Sequence, residues 1–298
     1  MNLFIEVVLP VFFIFFAGYV IQKWKKLDIK SVSTVAIYLL SPCLVFRTFY
    51  QANLNREYGN MVIFSLLFLF AFILLTKLYS KIMHYTGSME SGLMLSTAFM
   101  NSGNYGAPIV LFAFGEKGFA YAVTFMVLQS VIMNVFGVYY ALRGQSGVKI
   151  AIKKVFEMPA TYAVILALLV QFSHITVPKN VMMPIDLLAD AAIPVAMLIL
   201  GMQLAEIELV KMDVKNVAFA TISRLMISPF IAYLILTMLG VNGLLKSVLI
   251  VLSSMPTAVT TTMYAVQFDA KPRLVSSIAF VTTLTSIVTI TGLLVILK

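Results

Sequence analysis

Charge is scarce in this chain and acidic charge scarcest: of 298 residues only 11% are Asp, Glu, Lys or Arg, with 12 acids against 21 bases. Soluble domains carry about a quarter charged residues, so this composition cannot clothe a water-facing surface. The single cysteine, Cys43, excludes an intramolecular disulfide, and a small buried apolar side chain is its expected role. Histidine occurs only at His84 and His174. No Cys, His or carboxylate cluster has metal-ligand spacing, so no metal site is expected. A GxxxxGK[ST] loop is also missing, which removes direct use of ATP, and no cofactor is implied. Asp190 has no acidic mate within the apolar sequence, and no Ser with His stands in for one. An intramembrane enzyme therefore lacks its reacting groups.

What the chain has in abundance is hydrophobic residues, at 61%. A hydrocarbon layer about 30 Å thick takes roughly 20 mostly apolar residues per helical crossing. On that basis ten crossings are expected, at residues 2–22, 32–50, 60–79, 90–113, 118–142, 158–175, 187–206, 214–239, 244–268 and 274–297. The predicted class is an all-α integral membrane protein. The basic cluster KWKK directly follows the first crossing, and no small-residue cleavage site is evident; a retained anchor is expected.

The net charge of +9 would suit nucleic acid if the cations were clustered, but they follow the loops. Odd-numbered connections hold fourteen: Lys23, Lys25, Lys26, Lys30, Lys77, Lys81, Arg143, Lys149, Lys153, Lys154, Lys211, Lys215, Lys271 and Arg273. Even ones and the C-terminus hold six: Arg47, Arg56, Lys117, Lys179, Lys246 and Lys298. Positive residues stay cytoplasmic, so this bias predicts a multi-pass protein of the cell membrane with both termini outside. Nucleic acid is not an expected partner; membrane lipid is.

Five crossings per half would insert the second half upside down. Pro42 and Pro194 lie 152 residues apart and Pro108 and Pro256 148 apart, a similar offset that favours an inverted repeat. The expected halves are 1–142 and 158–298, joined by a cytoplasmic connection at 143–157.

The fourth crossing contains FMNSGNYGAPIVL at 99–111. Gly103, Gly106 and Pro108 loosen a helix, and Asn101, Ser102 and Asn104 offer donors and acceptors, so unwinding near the middle is predicted. The ninth crossing carries Pro256, Thr257, Ala258, Thr260, Thr261 and Thr262. Unwound backbone at membrane depth survives only when buried in protein or lining a wet cavity, and two facing breaks would serve each other. Half-helix ends meeting there bind ions and small polar solutes. Neither break contains an acid, so an anion would not be repelled. For Pro10, Pro42 and Pro229 simple packing kinks are expected.

Three ionisable groups stand out in apolar surroundings. Asp190 suits either a cap near an aqueous boundary or H+ or Na+ coupling. Arg224 suits anion attraction or a structural place, including snorkelling to the cytoplasmic surface, and the structural place is preferred. Arg47 ends the second crossing and is expected at the interface, with anion attraction as the lesser role.

NSGNYGAP at 101–108, VLQSVIMN at 127–134, LADAAIPVAMLILGMQL at 188–204, RLMISP at 224–229 and SSMPTAV at 253–259 together resemble the auxin efflux carrier superfamily of PIN-like transporters and their bacterial relatives. The resemblance covers nearly the whole chain. It implies two inverted five-helix repeats whose broken helices four and nine cross at the substrate site, with Asn101 and Pro256 as the crossover pair and Gln129 as a polar support residue. It also implies a homodimer in which helices 1, 2, 6 and 7 form a scaffold for an elevator-like transport domain. The implied substrate is a small organic anion: malate or malonate as in bacterial members, or an auxin-like aromatic acid. Met100 stands where plant carriers have a crossover proline, and helix three lacks their carboxylate, so a bacterial-type carboxylate carrier fits better than auxin. A channel or a membrane sensor on the same fold is the alternative.

Overall fold

The computed structural model describes residues 4–52, 56–141, 156–207 and 212–297. Arg143, Lys149, Lys153, Lys154, Lys211 and Lys298, and most of the expected 143–157 connection, lie outside the described residues. Every regular element among the described residues is helical. In chain order they are α1 (Phe4–Lys25), α2 (Ile29–Gln51), α3 (Arg56–Ile82), α4 (Ser88–Ala98), α5 (Ser102–Ala141), α6 (Pro159–Phe172), α7 (Lys179–Ala205), α8 (Val214–Met238), α9 (Gly243–Ser253), α10 (Thr260–Gln267) and α11 (Pro272–Leu297).

Among the described residues seven helices, α1, α2, α3, α5, α7, α8 and α11, are long and apolar enough to cross a membrane. The expected crossings at 90–113 and 244–268 are each divided into two short helices by an unwound piece. Within α5 the chain bends at Gly115, whose φ of 66° and ψ of −166° lie in a region open chiefly to glycine. The arm 102–114 thus turns into the arm 116–141 without a loop.

Four of the prolines within helices follow one local rule. Single π-helical turns at Phe4–Val8, Ala36–Leu40, Ser102–Gly106 and Ser223–Ile227 each end two residues before a proline: Pro10, Pro42, Pro108 and Pro229. Proline has no N–H for the carbonyl four residues back, and its ring crowds that carbonyl. One widened turn makes room, and the helix continues. Pro184 and Pro194 lie inside α7 without such a turn.

Packing sorts the helices into two groups. In the first, α1 lies along α7, and α2 packs on α6 and α7. In the second, α5 packs on α9, α3 on α4 and α8, and α11 on α4, α8 and α10. The first arm of α5 joins the groups through α2 and α7. The α1–α7 seam is a backbone contact: a Cβ on Gly201 would fall 1.9 Å from the Phe15 carbonyl oxygen, and one on Gly18 2.2 Å from that of Leu198. Small residues are how membrane helices approach closely, because dispersion and not water exclusion draws them together.

Large apolar side chains left uncovered on α1, α2 and α6, among them Phe13, Phe16, Tyr38 and Phe172, suit a hydrocarbon solvent. Gly201→Ala is expected to force α1 and α7 apart, at a cost of about 1–3 kcal/mol or more. A lowered melting temperature in detergent is the readout. Gly59→Ala, whose Cβ would meet nothing within 4 Å, is expected to leave that temperature unchanged or slightly raised.

Candidate functional site

The two breaks meet. After α4 the chain is extended at Phe99 (φ −116°, ψ 118°), and Met100 forms an antiparallel bridge with Thr257. Asn101 N–H donates to the Pro256 carbonyl at 2.8 Å, and Ala258 N–H donates to the Phe99 carbonyl at 3.1 Å. In this register residues 100 and 256 need no N–H for the pairing. Pro256 lends only its carbonyl, and the Met100 N–H takes no part in the pairing.

The unwound part of the fourth crossing is therefore short. Helix resumes at Ser102, so most of NSGNYGAP is helical and the unwinding expected near the middle of the crossing is confined to residues 99–101. Gly103 and Gly106 serve proximity instead: a Cβ on Gly106 would meet Leu252 at 2.8 Å, and one on Gly103 would meet Met126 at 3.1 Å. Removing side chains lets the first turn of α5 lie against α9 and against its own second arm.

Carbonyls at the ends of both α4 and α9 are engaged by side-chain donors near the break. Ser96 O accepts from Thr257 Oγ1 at 2.6 Å. Arg224 Nη1 donates to Thr97 O at 3.2 Å, and Nη2 donates to Ser253 O at 2.7 Å and Met255 O at 2.8 Å. Ser228 Oγ also donates to Ser253 O. Arg224 is 0% exposed, so it does not snorkel. Its guanidinium lies over the Phe72 ring at 5.2 Å, and no carboxylate among the described residues pairs with it. Its Nε has no partner among the described residues.

The amide ends are different. Neither Asn101, ahead of α5, nor Val259, ahead of α10, caps its helix with a side chain. A helix start leaves up to four N–H groups without intrahelical partners and carries a partial positive charge; at α10 the Thr261 and Thr262 N–H groups donate back to the Ala258 and Val259 carbonyls at 3.1 and 3.0 Å. Asn101, at 7% exposure, and Ser102, Thr257 and Ala258 are buried at the crossing, as are Gly106 and Pro108. Gly103, Asn104 and Thr260 are half-buried. Gln129 is 6% exposed, and its Nε2 has no partner among the described residues. Thr262 Oγ1 is likewise unpaired there.

Two cavities lie along α7, one at its C-terminal end and one between Asp186 and Met197. One, of 590 Å³, is bounded by Asp28, Glu206, Val259, Thr262 and Arg273, so it reaches the start of α10. At its rim the Ser31 hydroxyl bonds Asp28 at 2.5 Å and, as the largest cause, holds that carboxyl below the usual carboxylate range. The other, of 820 Å³, lies between α2, α7 and the Gly115 bend and includes Arg47, Glu116, Lys117 and Asp190.

Arg47 and Asp190 are not at the crossover. They face each other across α2 and α7 at 2.6 Å, with Asp186 at 3.8 Å. The Asp190 side chain is 69% exposed, so its charge is solvated as well as paired. Of the expected site residues, the fold thus joins Asn101, Pro256, Thr257 and Ala258 directly and leaves Asp190 and Arg47 as a separate pair. Sequence reading did not foresee Arg224 as the partner of both carbonyl ends. Its depth in α8 was visible, but the carbonyls it meets are about 30 and 127 residues away along the chain.

A protein whose described residues include seven membrane-length helices and two interrupted helices paired at a buried crossing is built as a membrane transporter is built. The chain belongs to the family described as Membrane transport protein, which matches residues 3–294; this is the auxin efflux carrier group that the motifs resemble. It is 28% identical over 298 residues to an uncharacterized transporter of Methanocaldococcus jannaschii, covering 96% of each chain. An uncharacterized transporter of Methanothermobacter thermautotrophicus is 27% identical over 96% of this chain and 95% of its own. A Rhizobium meliloti protein named "Putative malonate transporter" is 24% identical over 98% of this chain and 95% of its own. The family and these relatives are transporters and not enzymes.

Thr257→Val should leave the buried Ser96 carbonyl without its hydroxyl partner and cost about 1–3 kcal/mol. Thermal unfolding in detergent checks it, with Thr291→Val on α11, whose hydroxyl bonds only its own helix, as the near-silent comparison.

Proposed function

We propose that this transporter moves a small organic anion, a carboxylate or dicarboxylate such as malonate or malate, across the cell membrane, with the crossover as its binding site. One observation carries the reading: the carbonyl ends of the broken helices are filled by protein donors, whereas the amide ends have no side-chain cap. A carboxylate placed there would accept from the N–H groups that start α5 and α10, where the dipole favours negative charge. Asn101 and Asn104 amides, the Ser102 and Thr260 hydroxyls and the unpaired Gln129 Nε2 would supply further donors. The named malonate relative favours a short dicarboxylate over an auxin-like aromatic acid.

The wider reading is a ten-crossing protein of two inverted five-helix repeats, 1–142 and 158–298, with both termini outside. α1, α2, α6 and α7 act as the scaffold of a homodimer in lipid. The second packing group carries the crossover between the two cavities as an elevator. Arg47 and Lys117, at the 820 Å³ cavity, raise the local concentration of anions. Asp190 couples transport to H+ or Na+ by exchanging its Arg47 partner for the cation.

Uptake of labelled malonate, malate and an aromatic acid by proteoliposomes tests the site. Malonate uptake should saturate and show counterflow, which a channel does not. Asn101→Ala is expected to reduce kcat/KM by about tenfold or more, the loss of one or two hydrogen bonds to a charged group; unchanged uptake removes the assigned site. Asp190→Asn is expected to abolish the dependence on an imposed pH or sodium gradient, and retained dependence excludes Asp190 from coupling.

A further inference from the structure

A crossover built only of half-helices has no electrostatic preference. Each helix end carries about half an elementary charge, positive at the amide end and negative at the carbonyl end. Two amide ends, of α5 and α10, meet two carbonyl ends, of α4 and α9, and the four contributions sum to about zero. An anion would be drawn to one side and repelled by the other.

Arg224 breaks that balance. Its Nη1 reaches the carbonyl end of α4 at Thr97, and its Nη2 the carbonyl end of α9 at Ser253 and Met255. One planar fork thus spans both interruptions. The charge is permanent, because a guanidinium stays protonated in proteins. It is fully buried and unscreened by any carboxylate among the described residues, while the Phe72 ring face offsets part of its desolvation. Ser228 Oγ, on the next turn of α8, gives Ser253 O a neutral second donor. The Ser253 carbonyl could therefore be satisfied without a cation, whereas those of Thr97 and Met255 take their side-chain donor from Arg224.

We propose that Arg224 is a positioning residue for the anion site: its buried charge cancels the negative ends of α4 and α9, leaving the amide ends of α5 and α10 as an unbalanced positive seat for a carboxylate. This inference rests on the crossover being the anion site. The residue acts through the half-helices and does not touch the solute. The net excess, about one positive charge, matches one carboxylate group of the solute at the seat.

The test is malonate uptake by the full-length protein in proteoliposomes, with KM and kcat separated, alongside amide hydrogen exchange of residues 99–101, 257 and 258. Arg224→Gln keeps two donors and loses the charge; Arg224→Lys keeps the charge and loses the fork; Ser228→Ala removes a neutral donor to the same carbonyl. Arg224→Gln is expected to raise KM for malonate on the order of tenfold with a smaller change in kcat, the effect of one charge about 10 Å away at an effective dielectric of about 20. Arg224→Lys is expected to retain most of the affinity although exchange at both breaks accelerates, and Ser228→Ala to leave KM unchanged.

If Arg224→Gln does not fold, the lysine variant decides alone. Near-normal KM with faster exchange supports the role, and a KM raised as far as tenfold overturns it. Faster exchange with unchanged KM in the glutamine variant also overturns it and leaves only an architectural brace. A wild-type protein that takes up no carboxylate overturns the anion-carrier reading itself, and this inference falls with it.

Discussion

The structure depends on one constraint: a peptide group that leaves its helix inside a membrane protein must find another partner, at a cost of several kcal/mol if it does not. Two interrupted helices meet this by using each other. Asn101 N–H and the Pro256 carbonyl, Ala258 N–H and the Phe99 carbonyl, form a two-bond fragment of antiparallel sheet where nothing else in the described chain is sheet-like. Each break would be untenable alone. Together they hold Thr257 and Asn101 in the protein interior, with the starts of α5 and α10 at the same crossing.

The rest of the packing serves that junction. Arg224 and Ser228 of α8, Thr257 of the break itself and Thr282 of α11 bond the main chain around it. Tyr105, one turn into α5, is fully buried, bonds Ser286 of α11 at 2.8 Å and stacks on Phe15 of α1. The crossing is thereby in contact with both packing groups. Glycine matters here for space: Gly106 admits Leu252 and Met255, as Gly18 and Gly201 admit the α1 and α7 backbones to each other. At Gly115 a glycine acts instead through its backbone freedom, turning one arm of α5 into the next.

Several features could be read from residue order because their causes are local. Proline and paired amides marked the break beside Asn101, and proline with threonines marked the one at Pro256. How far the first break extends was not legible, since Gly103 and Gly106 look the same whether glycine is chosen for flexibility or for closeness. Arg47 and Asp190 were each noticed as ionisable groups in apolar sequence. That they are one pair depends on α2 lying beside α7, a relation between residues 143 apart.

Composition and apolar run length by themselves determined that the chain is helical and membrane-embedded, because hydrocarbon leaves a polypeptide so few ways to satisfy its backbone. They also located both interruptions, because proline and glycine act on their own turn of helix. Which carbonyl each freed amide meets, and that a single buried arginine closes both carbonyl ends while the amide ends stay uncapped, was decided only by the tertiary structure. Hydrogen bonds and charge act over a few ångströms of space, and distance along the chain does not record that separation.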